Sequence, residues 1–142
     1  MNTRSSDMGN KGVGGTSSLL TPAFSPTPEF EHLLEWSRLN ASRARKNGAC
    51  VKKHRESLRA WGESKRRLRE LGHWRQSQEF TGREKAALNL SEGLSLPVSD
   101  EQSTLILKGA QRYFTTEEIV RLTLTLMAVN DWIDLQKHGF VA

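Results

Sequence analysis

The sequence predicts an all-α fold of about six helices, and three observations carry that prediction. Leucine outnumbers the β-branched valine and isoleucine by 18 to 9, and branching at Cβ is what favours a pleated sheet over a helix. Three segments open with Ser/Thr-x-x-Glu/Gln, in which two side chains reciprocally satisfy the free amides of a helix start: Thr81 with Glu84, Ser99 with Gln102 and Thr115 with Glu118. No stretch alternates apolar and polar residues as a half-buried strand does, and no internal repeat is present.

The elements follow in order. Of the first 28 residues, 16 are Gly, Ser, Thr or Pro, which is too few apolar groups to supply a core. Residues 1–27 therefore read as a flexible tail and 28–142 as a single helical domain. Thr27 offers an N-cap, Pro28 suits the first helical position, and Glu29 and Glu31 complement the helix dipole. A first helix runs from there to about Lys46, with Phe30, Leu33 and Leu34 on one apolar face and Asn47-Gly48 as its stop. A second spans Cys50 to about Trp61 and stops at Gly62, and a third runs from about Glu63 to Leu71. The three capping boxes open three more. The first of these carries Ala87, Leu90 and Leu94 on one side. The last carries Ile119, Leu122, Leu126, Val129 and Ile133, whose three-and-four spacing makes a continuous stripe and marks the core element. Because large aromatics dominate packing area, Trp36, Trp74 and Trp132 are expected in the core or a subunit interface, and Trp61 also reads as a packing residue. Glu92 and His73 read as solvent or interface positions.

Composition narrows the function. At 142 residues the chain is too short for two ordinary domains. Leu, Ile, Val and Phe make up 32 residues, just above the level of about 20% below which a charged chain stays disordered, so the core is lean. One cysteine cannot form an internal disulfide and nothing resembles a secretory signal, so a reducing, cytoplasmic home is expected. No apolar run approaches the roughly 18 residues that span a bilayer. Residues 38–75 hold 13 basic and 3 acidic side chains, a net of +10, while the remainder nets −5. Such a block is either a solvated helix face or a site for an anionic partner, whose local concentration a clustered positive potential raises. Nucleic acid is the weaker form of the second reading, since no binding motif accompanies the charge.

One set of residues has the types and spacing for a reaction. Cys50 precedes His54 by four positions, so on a helix both lie on one face and the imidazole can take the thiol proton. Cys50 also follows the Asn47-Gly48 break, where free amides and the positive end of the helix dipole favour thiolate, and Lys52 and Lys53 add charge. Glu35, on the preceding helix, can hold the imidazole in one tautomer and stabilise its protonated form. By spacing alone the pair is weak evidence, because a lone cysteine is most often an inert buried residue. Beyond Cys50 and His54, the histidines 32, 73 and 138 give no pair with zinc-ligand spacing, so no metal is expected. The glycine run at 12–15 has no strand before it, so no phosphate loop and no cofactor site is read there.

Across roughly residues 30–137 the chain resembles the alkylhydroperoxidase D-like branch of the carboxymuconolactone decarboxylase family. The likeness rests on Glu35, Arg38, Leu39 and Ser42 leading to Cys50 and His54, and on Gly62-Glu63-Ser64 after Trp61. It continues in Trp74-Arg75-Gln76-Ser77 with Phe80-Thr81, in Arg83-Glu84-Lys85-Ala86-Ala87-Leu88, and in Phe114 to Leu135 with Ala128-Val129-Asn130-Asp131-Trp132. The resemblance implies a compact helical bundle that assembles as a trimer or hexamer, and an antioxidant oxidoreductase that reduces hydroperoxides through Cys-x-x-Cys-x-x-x-His preceded by a glutamate. Cys50 then matches the cysteine that attacks peroxide, and His54 and Glu35 match the proton relay. The first cysteine of that motif is replaced by Asn47, so turnover is expected to need a thiol reductant from outside or from a neighbouring subunit. Two alternatives accompany this reading: an inactive oligomeric relative that binds an anionic partner, and a carboxymuconolactone decarboxylase-like enzyme, whose chemistry needs no cysteine pair.

Overall fold

The computed structural model describes residues 25–142, and all but the last three residues of the expected tail lie outside that range. Six helices follow one another: α1 (Pro28–Ala44), α2 (Gly48–Ala60), α3 (Lys65–Glu70), α4 (Gly82–Ser95), α5 (Asp100–Gln111) and α6 (Thr116–Lys137), with a 3-10 turn at Leu71–His73 extending α3. No strand occurs among the described residues. The fold is all-α as predicted, and the local signals that start its helices are made as physical bonds. Thr27 accepts the amide of Phe30 ahead of Pro28, and the boxes at Thr81, Ser99 and Thr115 are each closed in both directions. A cap of this kind contributes about 1 kcal/mol.

Helix α1 is the hub, packed by α2, α4 and α6. A helix so enclosed keeps only a narrow solvent edge, and α1 buries two apolar sides rather than the single one expected. Phe30, Leu33, Leu34 and Ala41 join Ala87 and Leu90 of α4 and Leu122, Leu126, Val129 and Ile133 of α6. Trp36 and Leu39 join Leu58, Leu68, Leu71, Trp74, Phe80 and Leu88 in a second cluster. Polar residues between the two sides are buried with them, and each is satisfied, as burial requires. The hydroxyls of Ser37 and Ser42 donate to the carbonyls of Leu33 and Arg38. Asn40 Nδ2 donates to the Leu88 carbonyl and the Ser91 hydroxyl of α4.

The core stripe of α6 is as expected, with Leu122, Leu126, Val129 and Ile133 buried and Ile119 packed at its edge. Two expectations about burial fail. Leu94 is 42% exposed, because α5 approaches α4 over Gly93, where a Cβ would lie 2.6 Å from Ile106 Cδ1. The next residue is turned about 100° away from that contact. Among the tryptophans, Trp36 and Trp74 are buried and Trp61, read as a packing residue, lies on the surface against the His32 ring, while Trp132, expected in the core or a subunit interface, is 45% exposed and so is not a core residue.

Third-helix formation begins at Lys65, not Glu63, because Ser64 is the N-cap and the Glu63 carboxylate has another task. It accepts from His32 Nε2 at 2.8 Å, Trp36 Nε1 at 3.1 Å and Arg67 Nε at 2.9 Å. Arg67 continues to Glu84 on α4 and lies over the rings of Trp36 and Phe80. Burial works against the charge of Glu63, yet the bonds from Arg67, His32 and the Ser64 amide outweigh it and pull its pKa down to about 2. This network fastens the α3 segment to α1 and α4.

Candidate functional site

The geometry of the candidate site begins in the turn between α1 and α2. Lys46 adopts φ +56°, its amide bonds the Arg43 carbonyl, and the Asn47 amide bonds that of Ser42. That is the paired closure of a Schellman motif, with lysine at the left-handed position usually held by glycine. Asn47 closes α1 with its amide and opens α2 with its side chain: Oδ1 accepts the Cys50 amide at 2.9 Å, while Nδ2 donates to Gln136 Oε1 on α6 at 2.9 Å. The sequence reading placed free amides beside the thiol; the amide of Cys50 itself is taken by Asn47. Because one residue serves both helices, α2 folds back tightly along α1, and its buried face, Cys50, His54 and Leu58, meets the hub.

Glu35 on α1 is thereby set against His54 on α2. Nδ1 of His54 lies 2.7 Å from Glu35 Oε2, and Arg38 Nη1 donates to Glu35 Oε1 at 2.8 Å. Glu35 and His54 are 5% and 8% exposed. Burial alone would raise the Glu35 carboxyl, but the hydrogen bonds and charges of His54 and Arg38 together outweigh it and hold the group below its ordinary value. A carboxylate can only accept, so Nδ1 carries the hydrogen and Nε2 is the nitrogen left to take or give a proton.

Cys50, 6% exposed, and His54 both line a cleft of about 440 Å³ between α1 and α2 on one side and α6 on the other. Arg38 and Lys53 complete the first wall; Arg121, Leu124, Thr125, Ala128, Val129 and Trp132 form the second. The structure thus brings together the three residues singled out in the sequence, Cys50, His54 and Glu35, with Glu35 behind the imidazole rather than in the cleft. Lys53 lines the cleft and Lys52 does not. The α6 wall was missed. Its signal is a second stripe, 121, 125, 128 and 132, set one residue before the core stripe 122, 126, 129 and 133, and only tertiary packing shows that it faces the thiol.

Six of the thirteen basic residues of the cationic block are used in ion pairs within the fold. Arg38, Arg43, Arg45, Arg66, Arg67 and Arg75 all pair with carboxylates, which leaves less of it for a partner than the charge count implies. Glu92, read as a solvent or interface residue, is a hub instead: it accepts from Trp74 Nε1 at 2.7 Å, Asn40, Arg43 and Arg75. His73 is exposed. Among the described residues, no group of three His, Cys, Asp or Glu side chains is placed to hold a metal ion, and no helix is long and apolar enough to cross a membrane.

No protein-family model matches the chain. An uncharacterised protein of Bacillus subtilis (strain 168), YdfG, is 29% identical over 83 residues, which is 58% of this chain and 56% of the relative. The match therefore spans little more than half the length of that curated relative. Among solved structures, ATU0492 of Agrobacterium tumefaciens superposes with a TM-score of 0.69 at 23% identity, over 93% of this chain and 89% of that one. It is described as a protein of unknown function and a candidate antioxidant defence protein, AhpD. The chain shares the helical fold of that neighbour.

Proposed function

We propose that this chain is a thiol peroxidase of the alkylhydroperoxidase D-like type. The observation that carries the reading is the Glu35–His54 hydrogen bond of 2.7 Å beside a cleft that Cys50 and His54 both line. The antioxidant description of the Agrobacterium neighbour supports the same direction. His54 Nε2 takes the thiol proton, and Glu35 stabilises the imidazolium that results. The sulfur of Cys50 attacks one peroxide oxygen, the O–O bond breaks, and the departing alkoxide receives the proton from His54. The products are a sulfenic acid on Cys50 and an alcohol, so sulfur is oxidised as the peroxide is reduced.

Recovery then requires a thiol. It attacks the sulfenic acid and releases water, and a second thiol frees Cys50 from the mixed disulfide. Within this sequence the sole cysteine is Cys50, so in a homo-oligomer a neighbour offers only another buried Cys50. An external thiol is the better source. Exposed Leu124, Met127 and Leu135 on α6 support the homo-oligomeric part of the reading. A cytoplasmic setting would supply the reductant.

The second reading is an inactive relative, and Asn47 favours it, since the position expected to hold a resolving cysteine is committed to capping. Hydroperoxide consumption with a low-molecular-weight thiol as reductant separates the two. Thiol-dependent turnover that disappears in Cys50→Ser supports the peroxidase. No turnover supports the relic, and hydroperoxide consumption that survives the substitution contradicts a role for Cys50 as the nucleophile.

A further inference from the structure

We propose that Arg38 is a further catalytic residue of the peroxide reaction, its guanidinium stabilising the negative charge that develops on the departing oxygen as the O–O bond breaks. This rests on the peroxidase reading of Cys50. The first observation is the reach of the side chain. Arg38 Nη1 donates to Glu35 Oε1 at 2.8 Å, and Arg38 lines the cleft together with Cys50 and His54. Glu35 lies behind the imidazole, so Arg38 spans from the buried carboxylate to the open space where a peroxide meets the thiol. A guanidinium carries several N–H donors in a fixed fork, and the bond to Glu35 leaves others for what enters the cleft.

The charges of the bonded groups give the second observation. The Glu35 carboxylate is shared between Arg38 at Oε1 and His54 at Oε2. Once His54 holds the thiol proton, these three groups carry two positive charges and one negative, and both cations belong to side chains that line the cleft. Without Arg38 the carboxylate and the imidazolium would simply cancel. The guanidinium is also fixed in advance: it stands three residues from Glu35 on α1, and the two side chains are 29% and 6% exposed. A donor already held in place costs no reorganisation when charge appears on its target. Lys53 lines the same cleft, but it is exposed and carries its charge on a flexible stem.

The balance of the reaction is that already given. The sulfur's electron pair forms the S–O bond, the O–O pair moves to the departing oxygen, and that alkoxide takes its proton from His54; Arg38 stays protonated throughout. Such help matters most when the departing oxygen is a strong base. Second-order rate constants are therefore measured in single turnover for oxidation of Cys50 by tert-butyl hydroperoxide, which expels an alkoxide, and by peracetic acid, which expels the weak base acetate. Alkylation of Cys50 by iodoacetamide reads the supply of thiolate alone. Arg38→Met is expected to slow the tert-butyl hydroperoxide reaction by about 100-fold and the other two by less than about tenfold. Arg38→Lys keeps the charge without the fork and is expected to lose about tenfold, again mainly with tert-butyl hydroperoxide. Circular dichroism checks the helices of both variants, and the lysine variant carries the test if the methionine variant does not fold. Equal losses in all three reactions overturn the proposal and leave Arg38 only a support of Glu35; no loss in any of them overturns it as well. Oxidation of wild-type Cys50 by neither peroxide overturns the peroxidase reading itself.

Discussion

Asn47 Oδ1 accepts the backbone amide of Cys50 at 2.9 Å, so the residue standing where the family resemblance expects a cysteine is the N-cap of the helix that carries the thiol. Its Nδ2 also reaches Gln136 on α6. Replacing it with alanine removes the cap and the tie to α6 together. Asn47→Ala is expected to lower stability by about 1–2 kcal/mol, while Asn47→Asp retains the cap and loses much less, as read by urea denaturation.

The same position tests the resemblance. Residues three apart at a helix start have Cβ atoms roughly 5–6 Å apart, within adjustment of disulfide geometry. In Asn47→Cys, one equivalent of hydroperoxide is expected to produce an internal disulfide with Cys50 in the absence of any added thiol, seen by non-reducing peptide mapping. A stable sulfenic acid in that variant would show that the two positions do not cooperate.

Glu35 orients His54 and is itself held by Arg38. Glu35→Gln is expected to slow Cys50 oxidation by about 10–100-fold, the range found when the partner of a functional histidine is removed. The pH dependence has a definite sign. His54 and Arg38 hold the Glu35 carboxyl below its ordinary 4.5, so it stays a carboxylate at neutral pH and its support of His54 is lost only as acid carries the solution below 4.5.

The Glu63–Arg67 pair is the main electrostatic fastening outside the site, with side chains 9% and 20% exposed. Removing one partner leaves the other charge uncompensated, so Arg67→Met is expected to destabilise by about 2–4 kcal/mol. The folded Glu63 pKa of about 2 is depressed from 4.5. Its contribution is therefore fully present above 4.5 and is lost progressively as pH falls from there toward 2, which an acid titration of thermal stability reads directly.

Lys46 holds a left-handed conformation at φ +56°, which strains a residue with a Cβ. Lys46→Gly is expected to raise stability by about 1 kcal/mol with no change in the peroxide reaction.

The helix starts were legible because their signals are local. Thr27 with Pro28 and the three capping boxes each lie within four residues of the amides they satisfy, and all formed as read. That Cys50 and His54 share the buried face of α2 was legible for a related reason, since i and i+4 share a face in any helix. What could not be read was burial set by neighbours. Nothing in the 28–44 segment announces that α4 and α6 enclose it with α2, so the burial of Asn40 and Ser42 had no sequence signal. Trp132 was expected in the core or a subunit interface, and of these the core is excluded, because it stands one position before the α6 core stripe and opens onto the cleft. The basic block looked like a single patch because charge counts ignore partners; Arg43 and Arg75 converge on Glu92, and Arg67 on Glu63 and Glu84.

Whether Cys50 is a nucleophile prepared by His54 is read most directly by trapping its sulfenic acid. Dimedone labelling after one equivalent of hydroperoxide, located by peptide mass spectrometry and followed in time, compares the wild-type chain with His54→Asn. The predicted result is rapid label on Cys50 in the wild type and a rate about 100-fold lower in the variant, as expected when a general base is lost. Equal rates in the two proteins, or no label on Cys50 in the wild type, would contradict it.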